Sequence, residues 1–427
     1  MENVKHIILR NVKIIDSFSQ HNKQKKDVLI VNGIIEKIDK EITIKDPFFE
    51  VKSKNLHISP GWLDLHARMG EPGLEHRETI QTGLNAASKG GFTATVLMPS
   101  TNPPIETKAD INFLFKKASN HIVDIIPTGC ITRNCKQEEM TEMYDMYLNG
   151  AKAFTDDKKT IQNSMLMNTA LEYVRNFDGL IMSTCLDTDI NKLGQINEGI
   201  MSTKMGLSPS PALAEELMVL RDLNLLKYSN SKLHISTIST SNSVKHIQKA
   251  KKEKLNISTD VAAHQLILTD ELLKGFNTHL KVMPPIRDEN NRQGLIDGIL
   301  NGTIDAVSSD HTPIEIENKR CEFEKAEFGI LGLETLFPII NTVLKDKLEL
   351  PKIIDLISTN PRKIMGVSVP KIAEREEANI TLFNPKEKWT YTKKEICSIS
   401  KNTPFINYEL IGKPIGVINK GKIIIHH

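Results

Sequence analysis

The stretch DLHARMGEPG, residues 64 to 73, closes an apolar run with His66, places Arg68 two positions later and Gly70 two beyond that. Alternate residues of a strand point the same way, so a His-x-His at such a tip could close two imidazoles on one metal ion. Arg68 breaks that pattern. A guanidinium has no lone pair to give and stays charged at any ordinary pH, so Arg68 puts a fixed positive charge where a dication would sit. On this stretch alone, His66 also reads as a hydrogen-bonded core histidine. Four other runs end in residues that could join it. AKAFTDDK carries Asp156 and Asp157, either of which could bridge metals or cap a loop. VSSDHTP carries Asp310 and His311, and an aspartate there could take a proton from a metal-bound water. IMSTCLD and LHISTIST carry Thr184 and Thr237, whose neutral hydroxyls are poor zinc ligands.

The elements that must position these residues follow from the hydrophobic pattern. Between about residues 56 and 365, short apolar runs such as ATVLMP, VDIIPTG and GLIMSTC alternate with longer amphipathic segments. That alternation predicts parallel βαβ units, and their number favours a closed (β/α)8 TIM-type barrel, whose chemistry sits at the C-terminal strand ends. Residues 1–55 are different: IILRNVKII and VLIVNGIIEKI are β-branched runs, the second broken by an Asn-Gly pair suited to a tight hairpin. The same texture returns in residues 366–427, so the two ends are expected to pair in one small β-sandwich domain.

Composition narrows the function classes. In 427 residues, 55 Lys and Arg against 53 Asp and Glu leave a formal net charge of +2, and KAKKEKLN reads as a solvated helix end, so no nucleic-acid partner is expected. The N-terminal run MENVKHIILRNVKIID spaces charges through its apolar residues, unlike a secretion signal, and no later stretch approaches a membrane span. A cytoplasmic protein is expected. Five cysteines with no C-x-x-C pair suit unpaired, mostly buried thiols in a reducing compartment, and no chemistry is assigned to them.

Nine segments, among them PGWLDLHARMGEPGLEHRETIQTG, GGFTATVLMPSTNPP, GAKAFTDD, TDVAAHQLILTDE, GLIDGILNGTIDAVSSDHTP and FGILGLET, occur in an order that resembles the dihydroorotase family of the amidohydrolase superfamily across nearly the whole chain. Active members hydrolyse or close the ring amide of dihydroorotate with one or two zinc ions in a barrel. Of the metal-ligand positions the resemblance implies, His66, Asp157 and Asp310 are retained, Asp310 also standing at the catalytic acid/base position. Arg68, Thr184 and Thr237 stand where the family has histidines. At the implied substrate contacts, Gly70 replaces an arginine, Ser100 and Met283 replace asparagines and Ile314 replaces a histidine. Phe328 and Gly329 are retained as loop scaffold.

Three lost imidazoles leave too few ligands for tight four-coordination, and Gly70 and Ile314 offer no side-chain donor to an anion. The resemblance therefore implies a dihydroorotase-like pseudoenzyme. No cofactor is expected, and the role implied is structural or regulatory, with aspartate carbamoyltransferase as the candidate partner and a homo-oligomer as the expected assembly. The alternative is an active zinc-dependent dihydroorotase, or a related cyclic-amide hydrolase, with a reduced metal site. Without a metal, Asp157 and Asp310 would need another cation, and Arg68 is expected to bring its guanidinium within hydrogen-bonding distance of one of them.

Overall fold

The computed structural model describes residues 2–3 and 5–426, so Met1, Val4 and His427, at the extremes of the two expected end segments, lie outside the described residues. Eight parallel strands pair in chain order: Trp62–Ala67, Phe92–Leu97, Asp124–Gly129, Ala153–Phe154, Leu180–Ser183, Leu233–Ile235, Ile257–Ala262 and Ala306–Ser308. The last meets the first again just past its end, where His311 N donates to His66 O at 3.1 Å and Arg68 N to His311 O at 2.8 Å. Asp64 reinforces that seam by accepting Ser309 N and Ser309 Oγ, each at 2.7 Å. The barrel is closed by backbone and side chain together.

The strands are buried on both faces, which is what nearly continuous apolar runs demand. Leu63, Leu65, Val96, Ile126, Leu180 and Met182 form one apolar cluster from strands around the barrel, as only a filled lumen can. Helices lie outside and start on side-chain caps: Thr79 accepts Thr82 N for Ile80–Lys89, and Asp288 accepts Asn291 N for Glu289–Leu300. The first strand is irregular near its tip, with a register shift against its neighbour between Asp64 and Ala67. Bulges of this kind re-aim side chains beside functional sites.

The chain ends meet in one nine-stranded sheet. Ile380–Thr390 pairs antiparallel with His57–Pro60, which in turn runs parallel to His6–Ile14. The predicted hairpin joins Lys25–Val31 to Ile34–Asp39, and its Asn32 and Gly33 both have positive φ, 49° and 81°, as a type I′ turn requires. Trp62 anchors this sheet to the barrel, its ring 4.6 Å from Phe337 and 5.4 Å from Phe383 between centroids. Among the described residues no helix is long and apolar enough to cross a membrane.

Candidate functional site at the barrel mouth

The metal-position residues and Ser100 sit at or just after strand ends, whereas Met283, Phe328 and Gly329 lie on longer loops beyond the seventh and eighth strands. His66 and Arg68 follow from the first strand, Ser100 from the second, Asp157 from the fourth, Thr184 from the fifth, Thr237 from the sixth and Asp310 from the eighth. Asp157, Thr237 and Asp310 have φ of 56°, 52° and 49°, a left-handed conformation that non-glycine residues adopt at a cost. At each of these tips the chain turns sharply out of its strand.

These turns gather charge. Arg68 Nε lies 2.5 Å from Asp157 Oδ2, and Ser100 Oγ donates to that same oxygen at 2.5 Å. His66 Nε2 is 3.1 Å from Asp157 Oδ1 and 3.5 Å from Asp310 Oδ1. A second cation, absent from the sequence reading, completes the group: Lys158 Nζ is 2.8 Å from Asp310 Oδ1 and donates to Thr237 Oγ1 at 3.2 Å. Thr184 is buried and serves through its backbone, its carbonyl accepting Thr160 Oγ1 at 2.5 Å.

Burial would raise the Asp157 carboxyl, yet the charge of Arg68 and the contact with His66 outweigh it and hold this group well below the usual carboxylate range. For Arg68, burial acts to lower its pKa, but Asp157 and then Asp310 oppose it and the guanidinium is raised further. Nearby His264 is buried with no hydrogen-bond partner on either ring nitrogen, and burial lowers it to about 4 despite Asp310.

Of the substrate-side positions, Met283, Phe328 and Gly329 line a cavity of about 570 Å³ together with Arg68, Lys158 and Asp310, while Gly70, Ser100 and Ile314 lie outside its lining. Ile314 is buried; its amide donates to Asn402 Oδ1 at 3.0 Å, and its Cγ1 would lie 2.6 Å from a Cβ at Gly329. Gly70 is fixed by its surroundings: a Cβ there would meet Leu74 O at 2.2 Å, inside the turn that Leu74 N closes onto Gly70 O. A side chain at residue 70, arginine included, therefore requires this turn to shift.

Does this donor set fit zinc? His66 Nε2, Asp157 Oδ1 and Asp310 Oδ1 are buried without hydrogen-bond partners, as atoms awaiting an ion would be. These atoms lack well-angled hydrogen bonds but are not without charged neighbours: Lys158 Nζ is 2.8 Å from Asp310 Oδ1 itself and His66 Nε2 is 3.1 Å from Asp157 Oδ1, so with Arg68 on Asp157 Oδ2 both acids are already neutralised. Moreover, among the described residues only Cys130, Cys135 and Asp156 bring three ligand atoms to metal-site spacing; His66, Asp157 and Asp310 do not. The mouth as arranged does not fit a zinc centre.

The closed barrel, the end-pairing sheet and strand-end carboxylates define an amidohydrolase-type fold. An L-hydantoinase (dihydropyrimidinase) from Arthrobacter aurescens superposes with a TM-score of 0.86 at 21% identity, covering 98% of this chain and 96% of its own. A family model described as dihydro-orotase-like matches residues 56–243. A dihydroorotase from Caldicellulosiruptor saccharolyticus is 38% identical over 423 residues, spanning 98% of both chains. One from Geobacter sp. strain M21 is 32% identical over 421 residues, 98% of this chain and 99% of its own. The chain belongs to the dihydroorotase family.

Proposed function

We propose that this family member holds its barrel mouth in a metal-free state, with Arg68 and Lys158 in place of metal charge, and does not turn over dihydroorotate. The observation that carries the reading is the pairing of both retained acids with cations: Asp157 with Arg68 at 2.5 Å and Asp310 with Lys158 at 2.8 Å. An ion entering this buried site would face two fixed positive charges, and the desolvation that the acids already suffer is offset by the cations present.

A second reading is an active zinc-dependent dihydroorotase, or a related cyclic-amide hydrolase, built on His66, Asp157 and Asp310. The relatives favour it over the first, since those compared at 32–38% identity are named dihydroorotase, and so does the lack of a well-angled hydrogen bond at His66 Nε2, Asp157 Oδ1 and Asp310 Oδ1. The side chains that replace the other ligands weigh the opposite way. Purified protein, supplied with zinc during expression and then desalted, decides between them. The first reading expects well under one zinc per chain and neither hydrolysis of dihydroorotate nor cyclisation of carbamoyl aspartate; stoichiometric zinc with turnover at ordinary enzyme rates overturns it.

For a non-catalytic barrel the role we propose is that of a structural or regulatory partner of aspartate carbamoyltransferase. Its support is the family resemblance, with no motif of this chain. Size-exclusion chromatography of this chain with the same organism's aspartate carbamoyltransferase is expected to show a complex at micromolar concentration. Separate elution of the two removes that role while leaving the metal question as it stands.

A further inference from the structure

Behind the mouth, Cys130 and Cys135 face each other with their sulfurs 3.1 Å apart. Cys130 is pinned, its amide donating to Ile105 O at 2.8 Å and its carbonyl accepting Thr141 Oγ1 at 2.6 Å. Cys135 rides on a turn in which Asn134, Cys135 and Gln137 have φ of 53°, 50° and 64°, and Arg133, Asn134 and Lys136 are exposed around it. A disulfide bond is about 2.05 Å long, so a sulfur movement of about 1 Å on the turn side joins the pair.

We propose that Cys130 and Cys135 are a redox pair that closes to an intramolecular disulfide when the protein meets a low-molecular-weight disulfide. The thiolate of Cys135 attacks one sulfur of the reagent, forming a mixed disulfide and releasing one small thiol. The thiolate of Cys130 then attacks Cys135 Sγ and expels the second. The two protein thiols lose two electrons and two protons, and the reagent gains both as two small thiols. Cys135, itself buried at 4% exposure but flanked by the exposed Arg133, Asn134 and Lys136, is the attacking partner because a small opening of its turn uncovers it, whereas Cys130 is fully buried. The shared hydrogen bond with Cys135, with burial, also pushes the Cys130 thiol up.

Zinc is the competing occupant, since Asp156 completes a cluster of three ligand atoms with the two sulfurs. Two thiolates at about 2.3 Å from a tetrahedral ion lie roughly 3.8 Å apart, well beyond the contact seen here. Asp156 is also engaged already, accepting Ile131 N at 2.8 Å, Thr132 N at 3.0 Å and the Thr132 hydroxyl. Through Thr132, whose Oγ1 also accepts Gln137 N at 3.0 Å, the turn is tied to Asp156 and so to the residue preceding Asp157. A crosslink across the turn therefore stiffens one wall of the mouth.

The test is to equilibrate the native full-length chain with excess oxidised glutathione, quench, unfold, and count thiols by intact mass with peptide mapping. Expected is loss of both the Cys130 and Cys135 thiols to a Cys130–Cys135 linked peptide, no glutathione on either of them whatever the exposed Cys397 and half-buried Cys321 take up, and full reversal by dithiothreitol. Cys130→Ser is expected to trap glutathione on Cys135. Five thiols after treatment, or glutathione held by wild-type Cys135 without closure, overturns the proposal. So does recovery of Cys130 and Cys135 as free thiols while Cys397 is modified, or zinc in the untreated protein that is absent from Cys130→Ser.

Discussion

Replacing Arg68 with methionine keeps most of the side chain's volume and removes its charge, leaving a fully buried Asp157 without its strongest partner. Breaking a buried pair by deleting one member costs about 3–5 kcal/mol. Two features lower that figure here: the Arg68 side chain is 27% exposed, and Asp157 keeps Ser100 Oγ at 2.5 Å and His66 at 3.1 Å. About 2–3 kcal/mol is expected at pH 7. With an unfolding entropy of about 2.1 cal/mol/K per residue, 427 residues give roughly 0.9 kcal/mol/K, hence a fall in Tm of only ~3 °C. Urea midpoints are therefore the better assay.

The sign with pH follows from Asp157, whose folded pKa is depressed. Its contribution is fully present above the unfolded carboxyl value of about 3.9 and is lost as pH falls through the lower folded value. The gap between wild type and Arg68→Met is thus full at pH 7 and narrows on acidification, first as the variant's stranded carboxyl takes up a proton. Adding Asp157→Asn to the variant should recover about half of the loss or more, giving a coupling energy above about 1 kcal/mol in the double-mutant cycle. An unchanged urea midpoint for Arg68→Met at pH 7, or strictly additive effects, refutes the ion-pair argument.

Three further outcomes are expected. Restoring histidine at residues 68, 184 and 237 together leaves zinc content below one per chain while Lys158 remains, and adding Lys158→Ala raises it; elemental analysis of the two proteins shows whether Lys158 blocks the ion. Gly70→Arg lowers stability by roughly 2–3 kcal/mol in urea unfolding, because its Cβ would lie 2.2 Å from Leu74 O, and it does not create dihydroorotate binding in calorimetry. His121, buried and lowered to about 4, accepts Val123 N at Nδ1 over 3.0 Å and is therefore neutral in the fold. As a histidine with a depressed folded pKa it contributes stability above its unfolded value of about 6.5, lost as pH falls toward 4; His121→Asn should flatten urea midpoints between pH 6.5 and 4.

The barrel was legible because strand-helix alternation and ordered segments both pointed to it, and the end-pairing sheet because β-branched runs recur at the two ends without intervening helix-like segments. The hairpin at Asn32 and Gly33 was readable from two residues. Lys158 was not. A period of two along AKAFTDDK sends neighbouring residues to opposite faces, but Asp157 turns with φ of 56°, and that turn brings Lys158 into the mouth beside its neighbour. Gly70 and Ser100 read as losses of substrate contacts. In place, Gly70 is required by the turn to Leu74, and Ser100 donates a hydrogen bond to Asp157. The cysteine pair escaped notice because four residues separate its members and three non-glycine residues in left-handed conformation fold one sulfur back over the other.

The charge balance of the mouth explains why its substitutions belong together. Asp157 and Asp310 bring two negative charges and Arg68 and Lys158 two positive ones, each acid within 2.8 Å of its cation. A dication added to this set leaves an excess of two positive charges, and removing a single cation to admit it still leaves one; beside two buried carboxylates either excess is costly. Only loss of both cations restores a metal-ready pair of carboxylates. Residue 68 cannot return to histidine with benefit unless residue 158 also changes, and neither change opens space for an arginine at residue 70, where the obstacle is backbone and not charge. On the proposed metal-free reading, a zinc-bound, anion-gripping mouth therefore requires coordinated changes at separate strand ends, since each taken singly leaves a buried charge unpaired or a turn displaced.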